Sequence, residues 1–444
     1  MHSNMKQEKL FVRRNVIINN RTHKDIKLKQ NINTISQMSD DSWQANVARI
    51  RIREEMWENY DEQACHKQFK PLLTSLRLLG CFPVDFPASG VPKYRPLSPA
   101  VVYSICLYIV VNTITFFCVK DRILLLFTDD DDISDSIYSS MFIVILVNCT
   151  CVPVLACIDT PKAVHYFKNW EKFQMMFVAG TEENLVLNIK RRLVYSIFIT
   201  SVAVLSVLML HDYPPYLQYW QLPCYAVCLL VMSLVISLFC NMFRCLIRAA
   251  TILNKCFKRD IGQRTFSADL MRSYRILWLR WSQLVSHMGY MMGKVFCLYL
   301  VLLLLAITMS LYGFLSQMDE KQITFAHTGL GVFSLFCIAA LYHFCNLAYY
   351  SSNIVGVEIR DELQLIAPSE VTKDVFHEVN MFLDTISMNP PVVSVAGFAN
   401  VDRGLFRAYA STIVTFMIVL LQFDQSGHAA ISCRGNETKV LNAW

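Results

Sequence analysis

The chain has 444 residues, 54% hydrophobic and only 17% charged, with a formal net charge of +6. Soluble domains carry roughly a quarter charged residues, and the apolar runs here are too long for a soluble core, so the composition indicates a chain crossing a membrane several times. Most of the 16 cysteines lie inside those runs (Cys106, Cys118, Cys149, Cys151, Cys157, Cys228, Cys240, Cys297, Cys337, Cys345). There they act as small hydrophobes, and no Cys-x-x-Cys or His-Glu-x-x-His pattern supports a metal site.

Residues 1–45 are charged, Asn-rich and without a sustained period, and are expected to form a disordered cytoplasmic tail. No leader pattern precedes the first apolar run near Pro99, so the first helix is expected to insert as its own anchor. Over 46–98, Val47, Ile50, Ile52, Met56 and Trp57 recur at helical spacing. They predict one or two amphipathic helices packed on the bundle at the cytoplasmic side and ended by Gly80 and Pro83.

Spans are expected at Pro99–Val119, Ile137–Ile158, Leu193–Leu210, Leu222–Met242, Val295–Leu315 and Thr328–Tyr349, filling 99–352. Pro153 should kink the second or be covered by neighbours. Between Arg244 and Lys294, Leu270, Met271, Tyr274, Leu277, Trp278, Trp281 and Leu284 alternate with charges. That pattern predicts fourth and fifth helices continuing beyond the bilayer. Over 353–403 a cytoplasmic anchor helix is expected, Asp374 to Ser387, with Val375, Val379, Met381, Phe382 and Ile386 on one face. Asn389-Pro390-Pro391 breaks it, and Asn400 or Asp402 is placed to cap the last helix. His343 and Asn346, deep on the sixth span, are expected to be satisfied by neighbours.

The last span fills 404–423 and ends in the run Arg407–Phe423, RAYASTIVTFMIVLLQF. Ala408, Ser411, Thr412, Thr415 and Gln422 share one helical face. An amide facing lipid tails would be unsatisfied, so Gln422 should face protein or water. Two readings fit this stripe, a contact between helices and the lining of a pore. Residues 424–444 follow as an extracellular tail.

Segments on the N-terminal side of the membrane hold 35 of the 41 Lys and Arg, and the opposite segments hold 5. This bias places the N-terminus inside and the C-terminus outside. Asn436-Glu-Thr438 then lies outside as a glycosylation acceptor, whereas Asn148-Cys-Thr150 falls at membrane depth. Cys224 and Cys433 are the thiols expected to meet an oxidising lumen, with their pairing left open.

Thr415-Phe416-Met417-Ile418-Val419-Leu420-Leu421-Gln422-Phe423 resembles the signature that ends insect gustatory receptors: Thr-Tyr, five apolar residues, Gln-Phe. Phe416 stands where that signature has Tyr. Met381–Asp384 (MFLD), Asn389-Pro390-Pro391 and Gly397–Leu405 (GFANVDRGL) resemble the carbon dioxide receptor branch of that family, as do Tyr274–Ser282 (YRILWLRWS) and Ser310–Gln317 (SLYGFLSQ). The similarity runs from about Phe69 to Phe423.

The resemblance implies an all-α membrane protein with seven transmembrane helices, assembled as a homo- or hetero-tetramer with related subunits around a central pore. Thr415, Phe416, Ile418, Val419, Gln422 and Phe423 would then form the pore and its gate, closed by dewetting. No acidic ring lies in this helix, so selectivity among cations should be weak. Asp121, Asp129 to Asp132 and Asp135 in the first outer loop are a solvated loop or a means of enriching cations.

Tyr138, Phe142, His211, Tyr225, Tyr312 and Phe336 on the outer halves of the helices, with Trp220 above them, are the candidate ligand residues. The branch resemblance implies carbon dioxide as ligand, which needs a narrow, dry pocket, and a paralogous partner subunit in the plasma membrane of chemosensory neurons. The alternatives are a sugar or bitter ligand on the same channel, and a G-protein-coupled receptor with the opposite topology. A secondary transporter should show internal repeats, which are not evident. No constellation supports an enzyme, a cofactor or a nucleic-acid partner.

Overall fold

The apolar periods of the sequence become long helices in the computed structural model. It describes residues 64–87, 92–128, 133–181, 183–187, 218–262, 267–316, 325–367, 369, 371–395 and 397–441, with backbone alone at 125, 128, 133–138, 325–327, 354–356 and 424–441. All belong to one unit, Gln63–Trp444; the other unit, Met1–Glu62, and with it the expected tail, lies outside the described residues.

Helix α1 (Cys65–Leu78) buries Phe69, Leu72, Leu73 and Leu76, a stripe at steps of three and four. It therefore packs on the bundle; Val47, Ile50, Ile52, Met56 and Trp57, on which the expected amphipathic helices rest, lie outside the described residues. Gly80 ends it with φ +75°, and the Cys81 N–H reaches back to the Leu76 carbonyl at 3.0 Å. This is the closure that glycine permits after a helix.

Among the described residues, six helices are long and apolar enough to cross a membrane. They are α2 (Pro99–Thr128), α3 (Ile133–Thr181), α4 (Leu222–Gly262), α6 (Gly293–Ser316), α7 (Phe325–Gln364) and α9 (Arg403–Leu441). The expected third span, Leu193–Leu210, lies outside the described residues. Helix α3 runs on through both Pro153 and Pro161 and packs against α2, α4 and α6. Asp159, wholly buried on α3, accepts the Lys294 N–H at 3.0 Å and the Lys162 ammonium at 3.2 Å, fastening the start of α6. Asn148 is buried in α3 and bonded to the backbone one turn back, which suits the membrane depth expected of its sequon.

The extensions beyond the spans are present. Helix α4 continues to Gly262, and α5 (Ala268–Met291) leads into α6 across the single residue Met292. Ser267 caps α5 by accepting the Leu270 N–H at 3.1 Å. Helix α8 (Lys373–Met388) lays Val375, Val379, Phe382 and Ile386 on α5. Met381 is a correction to the expected face: one position before Phe382, it is turned off this stripe and is 36% exposed. Trp278 and Trp281 are fully buried, with Phe382 6.3 Å from the Trp278 ring. Burial and a hydrogen bond to Asp260 push the Tyr274 hydroxyl of this layer well above the ordinary phenol range, so it stays protonated.

A two-stranded antiparallel ribbon missing from the sequence reading follows: β1 (Ser394–Val395) and β2 (Ala399–Asn400), turned at Gly397 with φ +82°. It lies on α5, where Gly289 is the contact. A Cβ at Gly289 would come 2.1 Å from the Ser394 carbonyl oxygen. Asp402, rather than Asn400, then caps α9, accepting the Leu405 N–H at 2.9 Å.

Candidate functional site: the last helix and the cleft behind it

Helix α9 meets its own subunit along a narrow stripe. Ile413 and Met417 are buried, and Leu405, Phe406, Tyr409, Leu420 and Leu421 are partly buried against the core. The expected weakly polar face points away from the bundle: Ala408, Ser411, Thr415 and Gln422 are exposed, and Thr412 lies at the margin. Thr412 and Thr415 spend their hydroxyls on the Ala408 and Ser411 carbonyls at 2.9 and 3.0 Å. Phe416, Ile418, Val419 and Phe423 are also exposed, Phe416 at 50% and Phe423 at 64%. So the six expected pore and gate residues are all exposed on the subunit's surface. The helix runs on to Leu441, beyond the Phe423 boundary read from sequence, and carries the backbone of Cys433 and Asn436; their side chains lie outside the described residues.

The base of α9 is tied to α7. Arg403 lies over the rings of Tyr349 and Tyr350, at 4.2 and 5.1 Å, and bonds Asn346. Phe406 meets Tyr342 edge-on at 5.4 Å. The expected satisfaction of His343 is also met: its Nε2 lies 2.7 Å from Arg244 Nη2.

On the opposite side of α7, Ala340, Leu341 and Phe344 form a wall of a narrow apolar cleft between α4, α6 and α7, with about 440 Å³ of free space that is partly open to the outside. Phe239 and Phe296 approach Phe344 there, the latter at 4.5 Å. Tyr299 belongs to this lining of hydrocarbon and aromatic rings; its hydroxyl is buried and has no hydrogen-bond partner. A second cleft, between α2, α3 and α4, is lined by Asn148, Cys149, Pro153 and Cys228 among others.

None of the expected ligand residues lines either cleft. Phe142 and Tyr225 do meet, edge-on at 5.3 Å and both buried. Tyr312 is buried on α6 and Phe336 half-buried on α7, while Trp220 is exposed and bonded to Gln218. His211 and the side chain of Tyr138 lie outside the described residues. Cys224 is a buried free thiol, 3.3 Å from the Thr115 hydroxyl. No cluster able to hold a metal ion occurs among the described residues.

A family model described as 7tm Chemosensory receptor matches residues 69–427, most of the chain. The chain belongs to the insect gustatory receptor family. Gustatory and odorant receptor 24 of Anopheles gambiae is 27% identical over 372 residues, covering 82% of this chain and 80% of the relative. Gustatory and odorant receptor 21a of Drosophila melanogaster is 26% identical over 365 residues, covering 80% and 79%. Among solved structures, the insect olfactory receptor OR5 from Machilis hrabei superposes with a TM-score of 0.58 at 15% identity, covering 80% of this chain and 98% of that one. Its complex with eugenol gives the same TM-score over 82% and 100%. This gustatory receptor is therefore a multi-pass, all-α membrane protein and not an enzyme.

Proposed function

We propose that this gustatory receptor is a subunit of a ligand-gated, non-selective cation channel in the plasma membrane of chemosensory neurons, and that it senses carbon dioxide together with a paralogous partner. The observation that carries the reading is the free face of α9. A membrane helix with Thr415 and Gln422 turned away from its own bundle leaves an amide without protein cover in lipid, which is costly. Copies of α9 around a shared water path remove that cost, and four subunits close the ring. Phe416, Ile418 and Val419 then supply the apolar constriction that closes it. The Lys and Arg bias sets the C-terminal end of α9 outside, which argues against the G-protein-coupled topology. The exposed face of α2, with Val102, Ile105, Ile109 and Phe116, suits lipid. Phe398, Met388 and Leu365, exposed near the ribbon and α8, suit contact with a neighbouring subunit.

For the ligand, the cleft around Tyr299 supports a small molecule with weak polarity. Carbon dioxide fits its lining better than a sugar, which asks for several amides or carboxylates. The ties from α7 to Arg403 and Phe406 give ligand occupancy a route to the base of α9. The test is current recorded in a naive cell expressing the chain alone and with a related subunit, with carbon dioxide applied at clamped pH. Gas-evoked cation current supports the reading. Current that follows pH alone, or none with any partner, removes carbon dioxide as ligand.

A further inference from the structure

Arg122 lies on α2, fewer than two turns before its end, and is 1% exposed. An arginine buried within a span without a counter-charge is costly, and such residues mark function more often than packing. Its Nη2 donates to Gln221 Oε1 at 2.7 Å. Gln221, equally buried, donates its amide to Asp121 Oδ2 at 3.2 Å, which fixes the amide oxygen toward the guanidinium. The Phe142 ring lies 4.9 Å from the guanidinium carbon. An amide oxygen and a ring face attract a cation but do not neutralise it.

What remains is a set of unused donors. Nε and Nη1, which carry most of the N–H groups of the side chain, have no partner. The Tyr225 hydroxyl lies beside the same guanidinium and is fully buried. Among the described residues, the ion pairs leave Arg122 out. The arrangement is thus a fixed cation, one ring wall and a buried hydroxyl beside the cation.

We propose that Arg122, with Gln221, Phe142 and Tyr225, is a binding site for a small oxyanion built on a trigonal carbon, either bicarbonate or a short carboxylate. The anion takes N–H groups from Arg122 and the O–H of Tyr225, with Phe142 closing one side and Gln221 holding the guanidinium in place. This site is separate from the cleft around Tyr299, and it stands whether or not carbon dioxide is the gating ligand.

The experiment is thermal unfolding of the purified full-length chain in detergent, at fixed pH and ionic strength, with chloride replaced stepwise by bicarbonate, formate or acetate. A saturable rise in Tm is expected, since an anion bound to the folded state alone stabilises it by mass action. A rise with bicarbonate alone assigns bicarbonate; a rise with formate or acetate as well assigns the short-carboxylate class. Arg122→Met should weaken half-saturation by more than about tenfold. Gln221→Glu places a carboxylate on the same guanidinium and should weaken the anion response. If Arg122→Met fails to fold, Gln221→Glu decides. No saturable rise in the native chain overturns the proposal. So does a rise unchanged in these variants.

Discussion

Arg403 donates Nε and Nη2 to a single oxygen, Oδ1 of Asn346, at 3.0 and 2.8 Å. Asn346 lies two residues beyond Phe344, which walls the apolar cleft, and Arg403 is the first residue of the last helix. One contact therefore links the helix that borders the cleft to the helix that carries the exposed polar stripe. If cleft occupancy moves α7, this is the first place where α9 feels it.

Asn346→Ala removes that link and should shift the ligand dose–response to higher concentration while leaving surface expression intact. The bond involves a charged group but is exposed, so about 1 kcal/mol is expected, roughly a fivefold shift. Asn346→Asp, which turns it into an ion pair, should shift the response the other way. Equal responses in all three chains would uncouple this contact from gating.

Tyr299→Phe separates ligand binding from stability. The hydroxyl is buried without a partner, so deleting it should leave thermal stability unchanged or slightly higher. Evoked current should fall if that O–H donates to a ligand oxygen in the cleft. A full dose–response with unchanged midpoint would take Tyr299 out of ligand recognition.

Gly289→Ala tests the seat of the ribbon. The added methyl would stand 2.1 Å from the Ser394 oxygen and 2.8 Å from its carbonyl carbon, both backbone atoms. Relief requires a backbone shift, with a cost of about 1–3 kcal/mol. Reduced surface expression or a lowered Tm is expected; a stable, fully expressed variant would show that the ribbon can move aside.

Gln422→Ala should alter gating or permeation with surface expression preserved, because the amide lies off the subunit core. Its contribution to folding within one subunit is accordingly small. Unchanged currents would place it outside the water path.

Much of this architecture was legible in the sequence because long apolar runs and their charge flanks leave few alternatives in a membrane. The stripe through Thr415 and Gln422 was readable for the same reason, since three- and four-residue steps fix a helical face. The ribbon was not legible: its strands are two residues long, and Gly397 is its main local cue. The cleft was hidden because Phe239, Phe296 and Phe344 sit in runs dominated by apolar residues. Only the pairing of helices decides which of them border a space. Arg122 was counted among loop charges because the apolar run stops at Val119, whereas the helix continues to Thr128 and buries the guanidinium. Met381 was misassigned by a single step of the helix.

The central claim is that copies of the last helix line the water path, and thiol accessibility tests it most directly. Thr415→Cys and Gln422→Cys channels would be treated from outside with a charged thiol reagent during recording, alongside Met417→Cys, whose side chain packs on its own subunit, and the unsubstituted chain. The account predicts current altered by modification at positions 415 and 422, fastest in open channels, and unaffected at 417. Modification without effect at 415 and 422, or an equal effect at 417, would contradict it.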